Sequence, residues 1–205
     1  MTDTPNADAA PLVAFDFDGT LTTKDSFTAF LAWRIPRARY LAGLVRLIPD
    51  LLAYGVHRDR GRLKAAAVRV FLRGLTRDAV EDEARAFAGA VRLFRPDAVA
   101  TWQDWRARGA TLAIVTASPT TVVAPFARML GADVLIGTEL AFDDQGRATG
   151  RFDGANCRGP EKVARLKAHF GNEVRLDAAY GDTGGDAEML AMATEKGFRV
   201  FTGRP

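Results

Sequence analysis

The sequence predicts an α/β protein: a parallel sheet with helices on both faces, interrupted after its first strand by a helical insertion. Three observations carry that prediction. From Pro96 onward, short runs of β-branched and apolar residues alternate with segments of helical spacing, as strand–helix units of a parallel sheet do. A lone apolar run, Leu12 to Phe17, stands well upstream of that region. Between the two, from about Ser26 to Phe94, every patterned segment has helical spacing. A chain of 205 residues, 48% hydrophobic and 26% charged, accommodates one domain with an insertion and can bury a substantial core.

Taken in order, "LVAFDF" (Leu12 to Phe17) reads as a buried strand. "SFTAFLAWRI" is a helix with Ser26 as its expected N-cap, stopping near Pro36. "RYLAGLVRLIPDLLAYGV" is the most apolar stretch, but Arg46, Pro49 and Asp50 keep it short of the roughly 20 apolar residues of a membrane span. It predicts a helical hairpin, either packed in the insertion's own core or lying at a membrane interface. "GRLKAAAVRVFLRGL" is an amphipathic helix, and Thr76 caps the next, "RDAVEDEARAFAGAV". Beyond Pro96, "DAVATWQDWRARG" is a helix closed by Gly109, and Ala110 to about Val115 is a buried strand. "PTTVVAPFARMLG" is a helix ended by Gly131, "ADVLIGTEL" a strand, and "AFDDQGRATGRF" a polar hairpin turning at Asp144 to Gly146. "GPEKVARLKAHFG" is a helix and "LDAAYGD" a strand; "DAEMLAMATEKG" predicts a last helix and "FRVFTG" a last strand.

Charge is unevenly placed. The net charge is +3, yet Lys24 to Leu75 holds 11 Lys/Arg against three Asp and no Glu, while the remainder is acidic. Such a segment favours anionic partners, or else is simply a solvated helical face. A single cysteine, Cys157, allows no internal disulfide, and the polar start "MTDTPNADAAP" lacks the features of a signal peptide. A cytoplasmic location is the expectation, with peripheral membrane contact through the basic apolar segment as the alternative to an insertion that packs its apolar residues in its own core.

The informative chemistry lies where strands run out, because ligands of open parallel sheets bind beyond the carboxyl ends of the strands. The first strand ends in Asp16-Phe17-Asp18-Gly19-Thr20. The second ends at Thr116, and "AAY" runs into Gly181-Asp182-Thr183-Gly184-Gly185-Asp186, with Lys162 early in the preceding helix. Carboxylates gathered at one rim repel unless a cation sits among them, and hard oxygen ligands suit Mg²⁺. A hydroxyl, a lysine and glycine-exposed amides suit a phosphoryl group. Counting a calcium loop from Asp16 puts Phe27 where the chelating Glu should stand, which excludes that reading. Two scattered histidines, His57 and His169, with one cysteine argue against a zinc site, and Ser118 lacks a nucleophile-elbow pattern. Cys157 reads as a small core residue.

In combination, "DFDGTLT", "IVTASP", "GPEKV" and "YGDTGGDAEML" resemble the haloacid dehalogenase-like phosphohydrolases, in the phosphoserine-phosphatase-like branch with a helical cap. The resemblance spans nearly the whole chain. It implies a Rossmann-like core of residues 1–23 and 96–205 and a helical cap of residues 24–95. It also implies that Asp16 is the nucleophile that takes up the phosphoryl group and that Asp18 is the general acid and base. By the same resemblance Gly19, Thr116, Ala117 and Lys162 bind phosphate, and Asp16, Asp182 and the Asp18 backbone carbonyl hold Mg²⁺, with Asp186 supporting. Asp18 separates a phosphatase from a dehalogenase, because an ester leaving group needs a proton and a halide does not. Where phosphoserine phosphatases carry a substrate-reading Glu, this chain has Asp25. The "KDSF" and "CRGPEKV" stretches are more loosely similar to a group that includes phosphatidylglycerophosphatase C.

The substrate is thus expected to be a phosphorylated small metabolite or a phospholipid headgroup. The lipid alternative is motivated by the apolar hairpin beside Arg34, Arg37, Arg39, Arg58, Arg60 and Arg62. A phosphotransferase with the same aspartyl-phosphate and a basic protein that binds nucleic acid or a membrane surface are the rival readings. The segment lacks the interleaved aromatics of nucleic-acid stacking surfaces, which disfavours nucleic acid.

Overall fold

The structure, a computed structural model, describes residues 10–57 and 60–205. Arg58 therefore lies outside the described residues, as do the side chains of His57 and Arg60. Six strands form one sheet: β1 (Leu12–Phe15), β2 (Thr111–Pro119), β3 (Val134–Phe142), β4 (Ala148–Asp153), β5 (Leu176–Gly181) and β6 (Ala193–Phe198), in the order β4-β3-β2-β1-β5-β6. All neighbours pair in parallel except β4, which runs antiparallel to β3. β1 is central, with Ala14 opposite Ala113 on one side and Ala179 on the other. The chain passes from β1 to β2 on one side and returns from β4 at the far edge to β5 on the other, which opens a crevice beyond the ends of β1 and β5.

Strand alternation divides the core. Val13 and Phe15 of β1 and Leu112 and Ile114 of β2 face one apolar cluster, while Ala14, Ala113 and Val115 face the other. The first cluster is the larger. Phe15 lies between Trp102 and Tyr180, with ring centroids 5.0 and 4.5 Å away, and fully buried Trp102 donates its indole N–H to the Leu130 carbonyl at 3.0 Å. Helices α6 (Pro96–Ala107) and α7 (Thr120–Leu130) supply this side, and α8 (Pro160–Phe170) and α9 (Ala187–Ala191) the other. α7 ends on Gly131 at φ +65°, the left-handed closure expected of that glycine. Cys157 is buried in the second cluster, as expected of a small core residue.

Between β1 and α6 the chain forms five helices among the described residues: α1 (Ser26–Arg34), α2 (Arg37–Arg46), α3 (Ile48–His57), α4 (Arg60–Phe71) and α5 (Arg77–Ala90). The chain enters and leaves this block side by side, Thr23 N–H donating to the Leu93 carbonyl at 2.8 Å and Arg95 N–H to Leu21 at 2.9 Å. α1 and α5 pack on α7, and α4 packs on β4. Thr76 caps α5 as the sequence predicts.

Several boundaries differ from expectation. β1 stops at Phe15, because Gly19 at φ +88° turns the chain and Thr22 N–H folds back to the Phe17 carbonyl at 3.0 Å. The N-cap of α1 is Asp25, whose carboxylate accepts from Thr28 N–H at 2.8 Å; Ser26 is the first helical residue. β2 continues to Pro119 with a break in register after Val115. At the end of the chain, α9 stops at Ala191, and the last strand is "ATEKGF" rather than "FRVFTG". Pairing with β5, from Leu176 opposite Ala193 to Gly181 opposite Phe198, overrides the helical preference of those polar residues. An edge strand leaves Thr194, Glu195 and Lys196 exposed, so no apolar alternation announces it.

Candidate active site

Asp16 is the first residue past β1, and its N–H still bonds to the Tyr180 carbonyl at 2.8 Å. The strand pair therefore fixes the backbone that carries this carboxylate. Lys162, in the first turn of α8, is 1% exposed and gives its ammonium to Asp16 Oδ1 at 2.6 Å, Asp186 Oδ1 at 2.7 Å and the Val115 carbonyl at 2.5 Å. All three of its donors are used. Asp186 spends both oxygens inside the protein, since Oδ2 accepts from the N–H groups of Asp182 and Thr183 and from the Thr183 hydroxyl at 2.9 to 3.2 Å. Asp16, Asp182 and Asp186 each place a carboxylate oxygen within 4.8 Å of the others.

The electrostatics follow from crowding in a dry place. Burial is the largest influence on Asp16 and pushes its carboxyl up to about 7, against the pull of Lys162. Burial works against the Lys162 ammonium too, but Asp16 and Asp186 outweigh it and hold it above its ordinary range. For Asp186, burial is outweighed by Lys162 and the Thr183 donors, which keep its carboxyl below the usual value.

A second constellation stands across the cavity. Asp18 Oδ1 accepts from Ser26 N–H at 2.7 Å, and Oδ2 accepts from the Ser118 hydroxyl. Lys64 of α4 reaches in from the helical block to Ser118 Oγ at 2.9 Å, Asp25 Oδ2 at 3.1 Å and Asp18 Oδ2 at 3.6 Å. Burial pulls this ammonium down, but Asp18 and Asp25 hold it above its ordinary value. Burial acts on Asp25 in the opposite sense to Lys64 and the α1 N-terminus, which together keep its carboxyl low.

One cavity of about 220 Å³ joins the two constellations. Of the residues singled out in the sequence, Asp16, Asp18, Gly19 and Asp25 line it, and so do Ala117, Lys162, Asp182 and Asp186. Gly19 is needed twice over: its φ of +88° suits glycine, and a Cβ there would lie 2.3 Å from Asp182 Oδ2. Thr116 is the exception. It is fully buried beside the cavity rather than lining it, and its hydroxyl accepts from Ser118 N–H at 3.0 Å. Sequence reasoning missed Lys64, Ser118, Asn156 and Arg158. Arg158 lies against Gly185, where a Cβ would come within 2.5 Å of its guanidinium carbon, and lines the cavity with Asn156. Ser118 had a positional signal, two residues beyond Thr116 on a strand end. Lys64 had none, because nothing local says which lysine of an amphipathic helix folds back onto residue 18.

The wider relationships agree with this geometry. The family model described as haloacid dehalogenase-like hydrolase matches residues 13–191. Protein CicA of Caulobacter vibrioides (strain NA1000 / CB15N) is 62% identical over 196 residues, covering 95% of this chain and 88% of the relative. Among solved structures, a protein of unknown function from Bordetella pertussis Tohama I superposes with a TM-score of 0.75 at 28% identity, covering 92% of this chain and 89% of that one. A phospho-aspartyl intermediate analogue of phosphoserine phosphatase superposes with a TM-score of 0.59 at 24% identity, over 91% and 85%. With strand-end carboxylates gathered on one buried lysine and a family match over most of its length, the chain belongs to the haloacid dehalogenase-like hydrolases and has the fold of the phosphoserine phosphatases.

Proposed function

We propose that the chain is a phosphatase that hydrolyses a phosphate monoester through an aspartyl-phosphate on Asp16. The observation that carries this reading is Asp16 itself, buried, held by Lys162 and two residues before a second carboxylate on the same cavity. Magnesium fits the residues present, because hard carboxylate oxygens converge there within 4.8 Å. Asp16, Asp182 and the Asp18 carbonyl would hold the ion, with Asp186, which accepts from Lys162, Asp182 and Thr183, supporting them. Bound there, magnesium would supply positive charge against the phosphoryl oxygens.

In the first step an Asp16 oxygen attacks phosphorus. The bond from phosphorus to the ester oxygen breaks, and protonated Asp18 gives its proton to that leaving oxygen. In the second step Asp18, now a carboxylate, takes a proton from water as the water oxygen attacks phosphorus. The bond to Asp16 breaks, releasing inorganic phosphate and restoring both side chains. Lys162 offsets the repulsion between carboxylate and phosphate in both steps. Gly19 and Ala117 border the cavity where the phosphoryl oxygens would sit, and Thr116 acts through the Ser118 amide. Residues 24–95 would serve as the cap, with Asp25 and Lys64 facing the substrate's organic end.

The cavity is smaller than the roughly 300 Å³ at which drug-sized pockets begin. It suits a small phosphorylated metabolite or the phosphorylated tip of a lipid headgroup. Phosphate release across a panel of aryl phosphate, phosphoserine, sugar phosphates and phosphatidylglycerophosphate tests the reading. Release should need magnesium and fall by about 10⁴-fold or more in Asp16→Asn. With the aryl phosphate, whose leaving oxygen departs without a proton, Asp18→Asn should accumulate a covalent phosphoenzyme visible by intact mass. Transfer of the phosphoryl group to an added alcohol in preference to water would assign a phosphotransferase instead. Release that survives Asp16→Asn would overturn the mechanism.

A further inference from the structure

Helices α2 and α3 meet at Leu47, and this elbow is inside out. Leu47 is buried, but Leu41, Val45, Ile48, Leu51 and Leu52 are exposed, Val45 and Leu52 to 64% and 69%. Leu41 and Val45 are one helical turn apart, as are Ile48 and Leu52, so each helix shows an apolar stripe to the outside. The one acidic residue of α3, Asp50, points the other way and meets Arg69 of α4 at 3.1 Å. A helix of a water-facing surface shows the opposite arrangement.

The surrounding charge is of one sign. Arg37 lies on the stripe of Leu41 and Val45 at the same four-residue spacing, and exposed Arg39 and Arg46 stand on another side of α2, beside Phe71 and Arg73. No ion pair is made by these three among the described residues. The acids of this stretch that the structure describes, Asp25 and Asp50, are already taken by Lys64 and Arg69. No helix among the described residues is long and apolar enough to cross a membrane.

We propose that the α2–α3 elbow docks on an anionic bilayer, its aliphatic stripe at the acyl boundary and Arg37 at the headgroup phosphates, with Arg39 and Arg46 adding positive charge from the side of α2 away from the stripe. Charge complementarity selects this occupant. A second copy meeting face to face would bring together two segments of the same strong positive charge, and a nucleic acid offers nothing to five aliphatic side chains. Docking goes beyond the phosphatase reading and does not depend on it. It also bears on the source of substrate, because α4 runs from this elbow to the cavity, contributing Arg69 to one and Lys64 to the other.

The test is flotation of the full chain with vesicles of phosphatidylcholine alone and of phosphatidylcholine with phosphatidylglycerol. Wild type should float with the anionic vesicles, less so at high salt, and stay behind with the neutral ones. Val45→Glu and Leu52→Glu, at exposed positions, should each weaken the partition by about tenfold while circular dichroism and aryl-phosphate turnover stay unchanged. Arg37→Glu should do the same. No flotation of wild type with anionic vesicles, or equal flotation of the variants, overturns the proposal. So does a dimer, seen by light scattering, that Leu52→Glu converts to monomer, since the face would then belong to a second copy. None of these outcomes touches turnover of a soluble ester, so failure of docking and failure of the phosphatase reading are told apart.

Discussion

Replacing Lys162 by Met removes one ammonium of nearly matched length from between two buried carboxylates. Breaking a buried ion pair from one side costs about 3–5 kcal/mol, because the partner charge is left behind. An independent route gives a similar figure: two carboxylate oxygens no more than 4.8 Å apart repel by about 3.5 kcal/mol at an effective dielectric constant near 20. Against a domain stability of about 5–15 kcal/mol that loss is large but survivable. The sign with pH is fixed by Asp16, whose carboxyl is raised in the folded state from 3.8 to about 7. Its ionisation already weakens the folded wild type as pH climbs through that window, by an amount on the order of 4 kcal/mol. Without Lys162 the carboxyl resists ionisation further, so the variant's deficit should be largest above about pH 7 and shrink toward acid pH. Urea unfolding of both proteins in chelator, across that range, measures it. Adding Asp186→Asn should restore roughly half of the loss by removing one of the two stranded charges. A deficit below about 1 kcal/mol, or one flat with pH, would refute the description of this cluster as a charge-balanced buried unit.

Three further outcomes are expected. Magnesium affinity should rise with pH up to about 7 and then level off, with close to one proton released per ion bound below that point, because Asp16 must ionise; calorimetry in buffers of different ionisation enthalpy reads the proton directly. Gly19→Ala should cost about 1–3 kcal/mol in backbone strain and, by pressing on Asp182, weaken magnesium binding; denaturant midpoints and metal titration separate the two effects. Lys64→Met removes charged hydrogen bonds worth about 1.5–3 kcal/mol, so kcat/KM should fall about ten- to a hundredfold, whereas a purely structural lysine would shift only the melting temperature.

Much of the fold was legible because buried strands and capped helices leave local signatures. Val13 to Phe15, Leu112 to Val115, the Thr76 cap and the Gly131 closure each state their role in a few adjacent residues. What escaped was decided by partners distant in sequence. "ATEKGF" is a strand only because β5 offers an edge, and Asp25 rather than Ser26 caps α1 because its side chain is also fixed by Lys64. The strand-end residues of the site were readable for the same reason the strands were, since each marks where an apolar run stops. Thr116 was readable as a strand-end hydroxyl, but a register break turned it toward Ser118 rather than the cavity. Lys64 depends on how a helix 46 residues downstream of Asp18 lies across it, which only the packing of α4 on α3 and β4 decides.

Every side chain proposed to touch phosphorus or its metal comes from the ends of β1 and β5 or the start of α8, whereas Thr23, Lys24, Asp25 and the α4 lysine Lys64 line the cavity from the side of the helical block. The two walls meet at Asp18, whose carboxylate accepts from Ser26 N–H and lies 3.6 Å from the Lys64 ammonium. On the proposed reading, changes along residues 24–75 that spare Ser26 and Lys64 would reshape the side of the cavity that meets the ester's organic end while leaving the contacts of the reacting groups as they are.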